Sequence, residues 1–105
     1  MRLNKYGNRR VRADNYVFDS QAEWRRYQDL TLMQRAGLIT DLVVHPWWCL
    51  VVNGQAICKY VADFQYQENG RDVIEDVKGV RTPAYRIKKA LMLACYGISI
   101  AEVEA

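Results

Sequence analysis

Two aspartates in the middle of the chain have a spacing that could place them on one metal ion. The dipeptide Asn69-Gly70 favours a two-residue type I′ hairpin turn, and that turn fixes which residues face each other. Asp63 then lies opposite Asp76, with Cβ atoms about 4.5 to 5.5 Å apart, and like charges at that distance destabilise a hairpin. The same register pairs Val61 with Lys78, Ala62 with Val77, Gln65 with Ile74, and Tyr66 with Val73.

A shared proton or a bound divalent cation would each remove that repulsion. A hard cation such as Mg²⁺ binds one or two carboxylates and fills its other positions with water or phosphate oxygens. Lys78 follows Asp76 by two residues, so it projects from the same face and brings an ammonium group beside the pair. A solvated polar face, on which Lys78 only offsets the repulsion, is the alternative. Glu75 points to the opposite face, toward Phe64, and is the weaker candidate.

A predicted helix at residues 20 to 36 carries a further acidic residue. Ser20 and Glu23 match the capping-box pattern, and Gly37 provides the stop. The pattern by itself assigns Glu23 a capping role. The helical period also places Glu23 on the stripe that is expected to face inward, together with Tyr27, Leu30 and Gln34.

The remaining elements alternate between strands and a second helix. β-Branched, aromatic and alternating residues predict strands at 39–44 and 47–52, interrupted at Pro46, and at 56–66, 72–80 and 98–103. Thr82 and Pro83 predict the start of the second helix and Gly97 its end. Its apolar stripe is predicted at Ile87, Leu91, Ala94 and Cys95. The order helix, three strands, helix, strand indicates an α/β or α+β fold. The aromatic residues Trp47, Trp48, Tyr60 and Tyr66 are expected mostly in the core, with a dimer surface as the alternative.

Composition excludes several classes of protein. A chain of 105 residues builds one domain, and 50% hydrophobic with 26% charged residues is typical of a soluble globule. No apolar run reaches the roughly 18 residues of a membrane span, so we expect a cytoplasmic protein without membrane contact. Three widely spaced cysteines, expected in the core, do not form a disulfide framework, and no pair including His45 has zinc-site spacing.

Positive charge is concentrated at the start of the chain. The net charge is +3, but residues 1–13 carry five cations and no acid, which leaves −2 for residues 14–105. We therefore predict a basic, flexible arm over residues 1–13 and one domain over residues 14–105. Such an arm suits phosphate contacts, although a solvated tail that binds nothing has the same composition.

These motifs together resemble the PD-(D/E)XK nuclease superfamily, whose core order is αβββαβ. The resemblance rests on Glu23 in the first helix, Asp63, and the segment Asp76-Val77-Lys78 after a hairpin. More narrowly, the chain resembles the small, mostly phage-encoded DUF1064 family over nearly its whole length. The segments that carry this likeness are Lys5-Tyr6-Gly7-Asn8, Phe18-Asp19-Ser20 to Glu23, Ala62-Asp63-Phe64 and Glu75-Asp76-Val77-Lys78-Gly79. Ala62 replaces the usual proline, and His45-Pro46 replaces Gln-Pro, which leaves the role of His45 open.

The resemblance implies a restriction-endonuclease-like core, with a mixed central sheet flanked by helices, and a divalent-metal-dependent endonuclease. Asp63 and Asp76 would bind Mg²⁺ or Mn²⁺, together with the Val77 backbone carbonyl. Glu23 would complete the cluster directly or through water, and capping remains its alternative role. Lys78 would orient or activate the attacking water and offset charge on the phosphate during phosphodiester hydrolysis.

The implied substrate is DNA, plausibly branched DNA such as a Holliday junction, cut by a homodimer in phage recombination or DNA processing in the host cytoplasm. Eight cations are predicted to contact phosphates: Lys5, Arg9, Arg10, Arg12, Arg81, Arg86, Lys88 and Lys89. For the last four, a solvated helix face is the alternative. A catalytically silent DNA-binding or recombination accessory protein and a structural virion or regulatory component are the competing functions. The complete set Glu23, Asp63, Asp76 and Lys78 favours the enzyme.

Overall fold

The structure, a computed structural model, describes residues 9–105, which contain two α-helices and eight β-strands. In chain order the elements are β1 (Val11–Ala13), β2 (Tyr16–Phe18), α1 (Gln21–Arg35), β3 (Thr40–Val44), β4 (Trp47–Val52), β5 (Gln55–Val61), β6 (Phe64–Glu68), β7 (Arg71–Lys78), α2 (Pro83–Tyr96) and β8 (Ala101–Glu104). The pairs β3–β4 and β5–β6 are each one long strand with a bend. Counted in this way, the elements follow the predicted order after a small β1–β2 hairpin.

The central sheet is mixed and separates two hydrophobic clusters. Its strand order is β3-β6-β7-β8, with β7 and β8 parallel and the other neighbours antiparallel. On one face, Leu30 of α1 packs with Phe64 and Tyr66. On the other face, Met92 of α2 packs with Ile74, because successive residues of a strand point to opposite sides. A mixed sheet flanked by helices confirms the predicted α/β fold class.

Both helices begin and end where the sequence predicts. The Ser20 hydroxyl accepts a hydrogen bond from the Glu23 N–H at 3.2 Å, and the Thr82 hydroxyl accepts one from the Tyr85 N–H at 3.1 Å. Gly97 ends α2 in the left-handed conformation, at φ 68°. Neither helix of residues 9–105 is long and apolar enough to cross a membrane.

The predicted apolar stripe of α2 is wrong in part. Tyr85 and Met92 form the buried face, whereas Ile87 and Ala94 lie on the opposite side and are exposed. Leu91 and Cys95 are partly buried. Apolar residues occur all round this helix, so its periodicity did not define which side meets the sheet.

The hairpin between β6 and β7 has the predicted register. Asn69 and Gly70 both have positive φ, as a type I′ turn requires, and the predicted pairs Gln65–Ile74 and Tyr66–Val73 are present. The predicted pairs of Val61 with Lys78 and of Ala62 with Val77 are wrong. Val61 pairs with Trp47, and the β6–β7 ladder ends at Phe64–Glu75.

A bend in two neighbouring strands explains that difference. The chain turns at Ala62–Asp63, so the predicted strand 56–66 is divided into β5 and β6. The facing strand bends at His45–Pro46, where Pro46 interrupts it as predicted. The two bends remain paired, because the His45 N–H donates to the Asp63 carbonyl and the Ala62 N–H donates to the Pro46 carbonyl, both at 3.0 Å.

Other boundaries also shift. Residues 11–13, predicted as part of the basic arm, form β1, because Val11 and Ala13 pack against the core on the α1 face. β8 begins at Ala101 rather than Ile98. Trp48, Tyr60 and Tyr66 lie in or against the core, as predicted, but Trp47 is 61% exposed. The three cysteines are free, and Cys49 is exposed rather than packed in the core.

Candidate metal centre

The β6–β7 hairpin brings Asp63 and Asp76 together just beyond the last pair of its ladder, Phe64–Glu75. Asp76 Oδ1 accepts a hydrogen bond from the Asp63 N–H at 2.9 Å. In return, Asp63 Oδ2 accepts one from the Val77 N–H at 2.7 Å. Each carboxylate is therefore held by the backbone of the other strand, and neither can move away without breaking a hydrogen bond.

Asp76 is the more deeply buried of the pair, with 1% exposure. Its Oδ2 accepts a hydrogen bond from the Tyr60 hydroxyl and lies 3.8 Å from Lys78 Nζ. Burial raises the pKa of Asp76, while the bond from Tyr60 and the charge of Lys78 oppose that increase. Because both oxygens of Asp76 already have protein partners, this residue holds Asp63 and Lys78 in place.

Lys78 projects from the same face as Asp76, as the alternation of β7 predicts. Its side chain is 22% exposed, and Nζ lies 4.0 Å from the centre of the Tyr85 ring. The carboxylate and the aromatic face restrict the ammonium group to one region. Lys78 also lines a cleft between the start of α1 and the end of β7, so its charge is available to a ligand there.

Glu23 supplies an unsatisfied carboxylate oxygen. The residue is 6% exposed, and its Oε1 has no hydrogen-bond partner among residues 9–105. The capping bond at Ser20 uses the Glu23 backbone N–H, which leaves the carboxylate free to point elsewhere. Oε1 lies 4.0 Å from His45 Nε2. Burying a carboxylate oxygen without a partner is costly, and a bound cation would remove that cost.

Three side chains converge at this oxygen. Glu23, His45 and Asp63 each offer a ligand atom, and these atoms lie within 4.8 Å of one another. Burial, followed by the charges of Glu23 and Asp76, raises the pKa of Asp63 to about 9. A divalent cation would neutralise these acids and satisfy the free oxygen, and two carboxylates with an imidazole are suitable donors. The residues present therefore fit a metal ion.

Glu23 connects this cluster to a cleft of about 690 Å³ between the start of α1 and the end of β7. Glu23, Val77 and Lys78 line it together with two cations, Arg9 and Arg25. Arg9 was predicted to contact phosphates. Arg25 was not, because nothing in its local pattern separates it from any other exposed arginine of a helix. The cleft therefore brings Glu23 and a second acid, Asp19, together with three cations.

The other predicted cations of the arm lie elsewhere or outside the described residues. Arg10 lies 3.9 Å from Asp19, and Arg12 is exposed on β1. Lys5 falls outside residues 9–105. Of the three predicted arm cations within residues 9–105, Arg9 alone lines the cleft.

Two of the predicted α2 cations are neutralised by acids of β8. Arg81 donates to Glu102 at 3.1 Å and to Glu104 at 2.5 Å, and Lys89 Nζ lies 3.2 Å from Glu102. Hydrogen bonds from Tyr85, then from Arg81 and Lys89, lower the pKa of Glu102 to about 2. Arg86 is exposed and Lys88 is half-buried.

Glu75 lies on the opposite face of the sheet, as predicted. It is 1% exposed and accepts two hydrogen bonds from Arg26, at 2.7 and 3.1 Å, and one from the Tyr66 hydroxyl at 2.7 Å. These bonds satisfy the carboxylate and tie α1 to the sheet. Glu75 is therefore a structural residue.

Comparison with known proteins places the chain in a family. No curated protein matches the sequence. A family model described as "Protein of unknown function (DUF1064)" matches residues 3–99. That description assigns no activity, so the wider relationship to nucleases stays a prediction. Because the match spans nearly the whole length, this chain belongs to the DUF1064 family.

Proposed function

We propose that this protein is a divalent-metal-dependent endodeoxyribonuclease of the PD-(D/E)XK type, with Mg²⁺ or Mn²⁺ as its cofactor. The observation that carries the proposal is the buried, unpartnered Oε1 of Glu23, which faces Asp63 and His45 beside Asp76 and Lys78. A cluster of acids next to a lysine on a cation-lined cleft suits the hydrolysis of a phosphodiester. A buried carboxylate without a partner lowers the stability of the fold, so a purely structural role does not explain its presence.

Each residue of the cluster has its own role in this proposal. Glu23 and Asp63 would hold the ion. The Val77 carbonyl is available beside them, because the N–H and C=O of one strand residue point to the same side and that N–H meets Asp63. When bound, the ion supplies positive charge for a phosphate oxygen and lowers the pKa of water near it.

Lys78, which lies on β7, would act on the attacking water and the phosphate, and Asp76 of the same strand would position it. The Lys78 ammonium, held by Asp76 and the Tyr85 ring, can hydrogen-bond an attacking water and offset the charge that develops on the phosphate. Asp76, whose role as a metal ligand stays a prediction, positions this ammonium and also fixes Asp63 by accepting a hydrogen bond from the Asp63 N–H. Because the Lys78 ammonium is already held in place, no energy is spent on moving it as charge develops on the phosphate.

The cleft also suggests how DNA would bind. Arg9, Arg25 and Lys78 line it and could contact phosphates, which position a substrate without reading its sequence. We propose branched DNA such as a Holliday junction as the substrate and phage recombination or DNA processing in the host cytoplasm as the setting. A homodimer would cut both strands. Trp47, Ile57 and Val61, all exposed on the β4–β5 hairpin, are apolar surface for such an interface.

A cleavage assay tests the proposal. A labelled four-way junction, a linear duplex and a single strand are incubated with the full chain in Mg²⁺, Mn²⁺ or EDTA. We expect cleavage of the junction only with metal, and a loss of about 10²-fold or more in rate for Asp63→Ala, Asp76→Ala and Lys78→Ala. Asp63→Ala removes a metal ligand, Asp76→Ala removes the carboxylate that positions Asp63 and Lys78, and Lys78→Ala removes the ammonium that offsets charge on the phosphate.

Asp72→Asn is the matched control. Asp72 is an exposed aspartate of the same hairpin and accepts a hydrogen bond from Gln67, away from the cleft. This variant should cleave at the wild-type rate. Junction binding without cleavage in either metal would instead support the DNA-binding accessory protein, and metal-independent cleavage would contradict the proposed centre.

A further inference from the structure

We propose that His45 is a nitrogen ligand of the metal centre, so that the centre binds a transition-metal dication such as Mn²⁺ in preference to Mg²⁺. The inference rests on the metal site of the proposed function, but it does not depend on DNA cleavage. The sequence motifs assigned oxygen ligands only, and left His45 without a role.

The first observation is geometric. His45 Nε2 lies 4.0 Å from Glu23 Oε1, and ligand atoms of Glu23, His45 and Asp63 lie within 4.8 Å of one another. Donors that are each about 2.1 Å from one ion are at most about 4.2 Å apart. The three donors are therefore within a small side-chain adjustment of sharing an ion. At 4.0 Å, Nε2 makes no hydrogen bond to Glu23.

The second observation is the unpartnered oxygen of Glu23. This side chain is more than nine-tenths buried, and its free Oε1 lies 4.0 Å from His45 Nε2. An ion between the three residues would satisfy that oxygen. A histidine that only fills space would leave Oε1 without a partner.

The third observation is the backbone of His45. Its φ of 56° lies in the left-handed region, which residues other than glycine adopt rarely and mainly where surrounding structure enforces it. The bond from the His45 N–H to the Asp63 carbonyl fixes this conformation directly opposite Asp63. The imidazole packs beside the rings of Tyr16 and Phe18, with distances of 6.4 and 5.9 Å between ring centroids, and these neighbours limit its rotation. The bend therefore presents the imidazole to the two carboxylates.

The donor set determines which metal binds. Mg²⁺ prefers oxygen donors and keeps several waters. Imidazole nitrogen suits first-row transition metals, whose affinity for such sites rises from Mn²⁺ onward. One nitrogen beside two carboxylates should therefore raise the affinity for Mn²⁺ while it adds little for Mg²⁺.

Metal titration of the full chain without DNA tests this inference. By calorimetry, we expect Mn²⁺ to bind at least tenfold more tightly than Mg²⁺ to the wild type. His45→Gln should weaken Mn²⁺ binding at least tenfold and Mg²⁺ binding less than threefold. Electron spin-echo spectra of bound Mn²⁺ should contain modulation from a directly bound nitrogen, and His45→Gln should abolish it. His45→Asn, which tolerates positive φ, serves as a second variant if His45→Gln unfolds in EDTA.

The outcomes separate this inference from the proposed nuclease. Unchanged Mn²⁺ affinity in the variants, or a wild-type spectrum without nitrogen coupling, overturns the role of His45 even if metal-dependent cleavage is found. Nitrogen coupling that is lost with His45 supports the ligand even if no DNA substrate is cut. Absence of Mn²⁺ binding to the wild type overturns both.

Discussion

At the scale of single residues, Asp63 carries the largest electrostatic cost in the candidate centre. Its carboxylate lies between Glu23 and Asp76, and it keeps one strong bond from the Val77 N–H. Burial and the two neighbouring acids raise its pKa to about 9, so the ion-free protein holds a proton there at neutral pH. This proton must leave when a cation binds.

The stability of the ion-free protein should therefore depend on Asp63 and on pH. A carboxyl whose pKa is raised from 3.8 to about 9 on folding stabilises fully below pH 3.8, and its contribution is lost as pH rises through about 9. Asp63→Asn cannot ionise, so its stability does not fall in this way as pH rises, and its amide oxygen can still accept the hydrogen bond from the Val77 N–H. We expect a higher melting temperature for Asp63→Asn in EDTA, with a gap to wild type that widens from pH 5 to pH 8.

Thermal unfolding by circular dichroism measures this gap, and Asp72→Asn on the exposed part of the hairpin provides the baseline. Asp72→Asn should show no pH-dependent gap. A constant difference between Asp63→Asn and wild type at both pH values would mean that Asp63 has an ordinary pKa in the folded chain.

Sequence reasoning predicted some residues of this site and missed others for a physical reason. The facing of Asp63 and Asp76 follows from one local turn, Asn69-Gly70, whose backbone chemistry sets the register. His45 and Arg25 reach the site only through contacts with distant segments. A histidine followed by a proline at a strand interruption was the one local signal for His45, and it did not reveal what the side chain would meet.

At the scale of elements, the first turn of α1 positions Glu23. The Ser20 hydroxyl bonds the Glu23 N–H, and Thr82 makes the equivalent bond to Tyr85 in α2. Replacing such a cap with alanine costs about 1 kcal/mol of folding free energy. Of these two caps, only Ser20 bonds a residue, Glu23, that is also a candidate metal ligand.

We therefore expect Ser20→Ala and Thr82→Ala to lower the free energy of unfolding equally, by about 1 kcal/mol each. Mn²⁺ affinity should fall severalfold in Ser20→Ala and stay at the wild-type value in Thr82→Ala. Urea unfolding and metal titration measure the two effects. Equal metal affinity in both variants would show that the α1 cap does not position Glu23.

Features of an element that depend on residues within one turn could be predicted, whereas features that depend on a distant segment could not. The helix ends at Ser20, Thr82 and Gly97 were predictable because caps and stops depend on residues within one turn. The bend at Ala62–Asp63 was not, since the strand 56–66 alternates without interruption and only the facing strand contains a proline. The side of α2 that is buried depends on the sheet as well, and its sequence is apolar all round.

At the scale of the whole molecule, cations divide into two groups by the charges around them. Arg81, just before α2, and Lys89, in the middle of α2, pair with Glu102 of β8, so their charge is largely cancelled. Arg9 and Arg25 line the cleft beside Lys78. Although the two groups look alike in the sequence, the fold places only the second group in the cleft that Glu23 lines. DNA affinity of the proposed nuclease should therefore depend on the cleft arginines.

The salt dependence of DNA binding measures this difference, because each phosphate contact to duplex DNA contributes about 0.9 to the slope of log affinity against log salt. Arg9→Ala with Arg25→Ala should lower the magnitude of the slope by about 1.8. Arg71→Ala, at the exposed turn end of β7, is the matched control and should leave the slope unchanged. Fluorescence anisotropy of a labelled junction in EDTA, which withholds the metal that the proposed cleavage needs, gives both slopes. If the arginine variants keep the wild-type slope, DNA does not enter this cleft, and the acidic cluster would then need a different phosphate-bearing substrate.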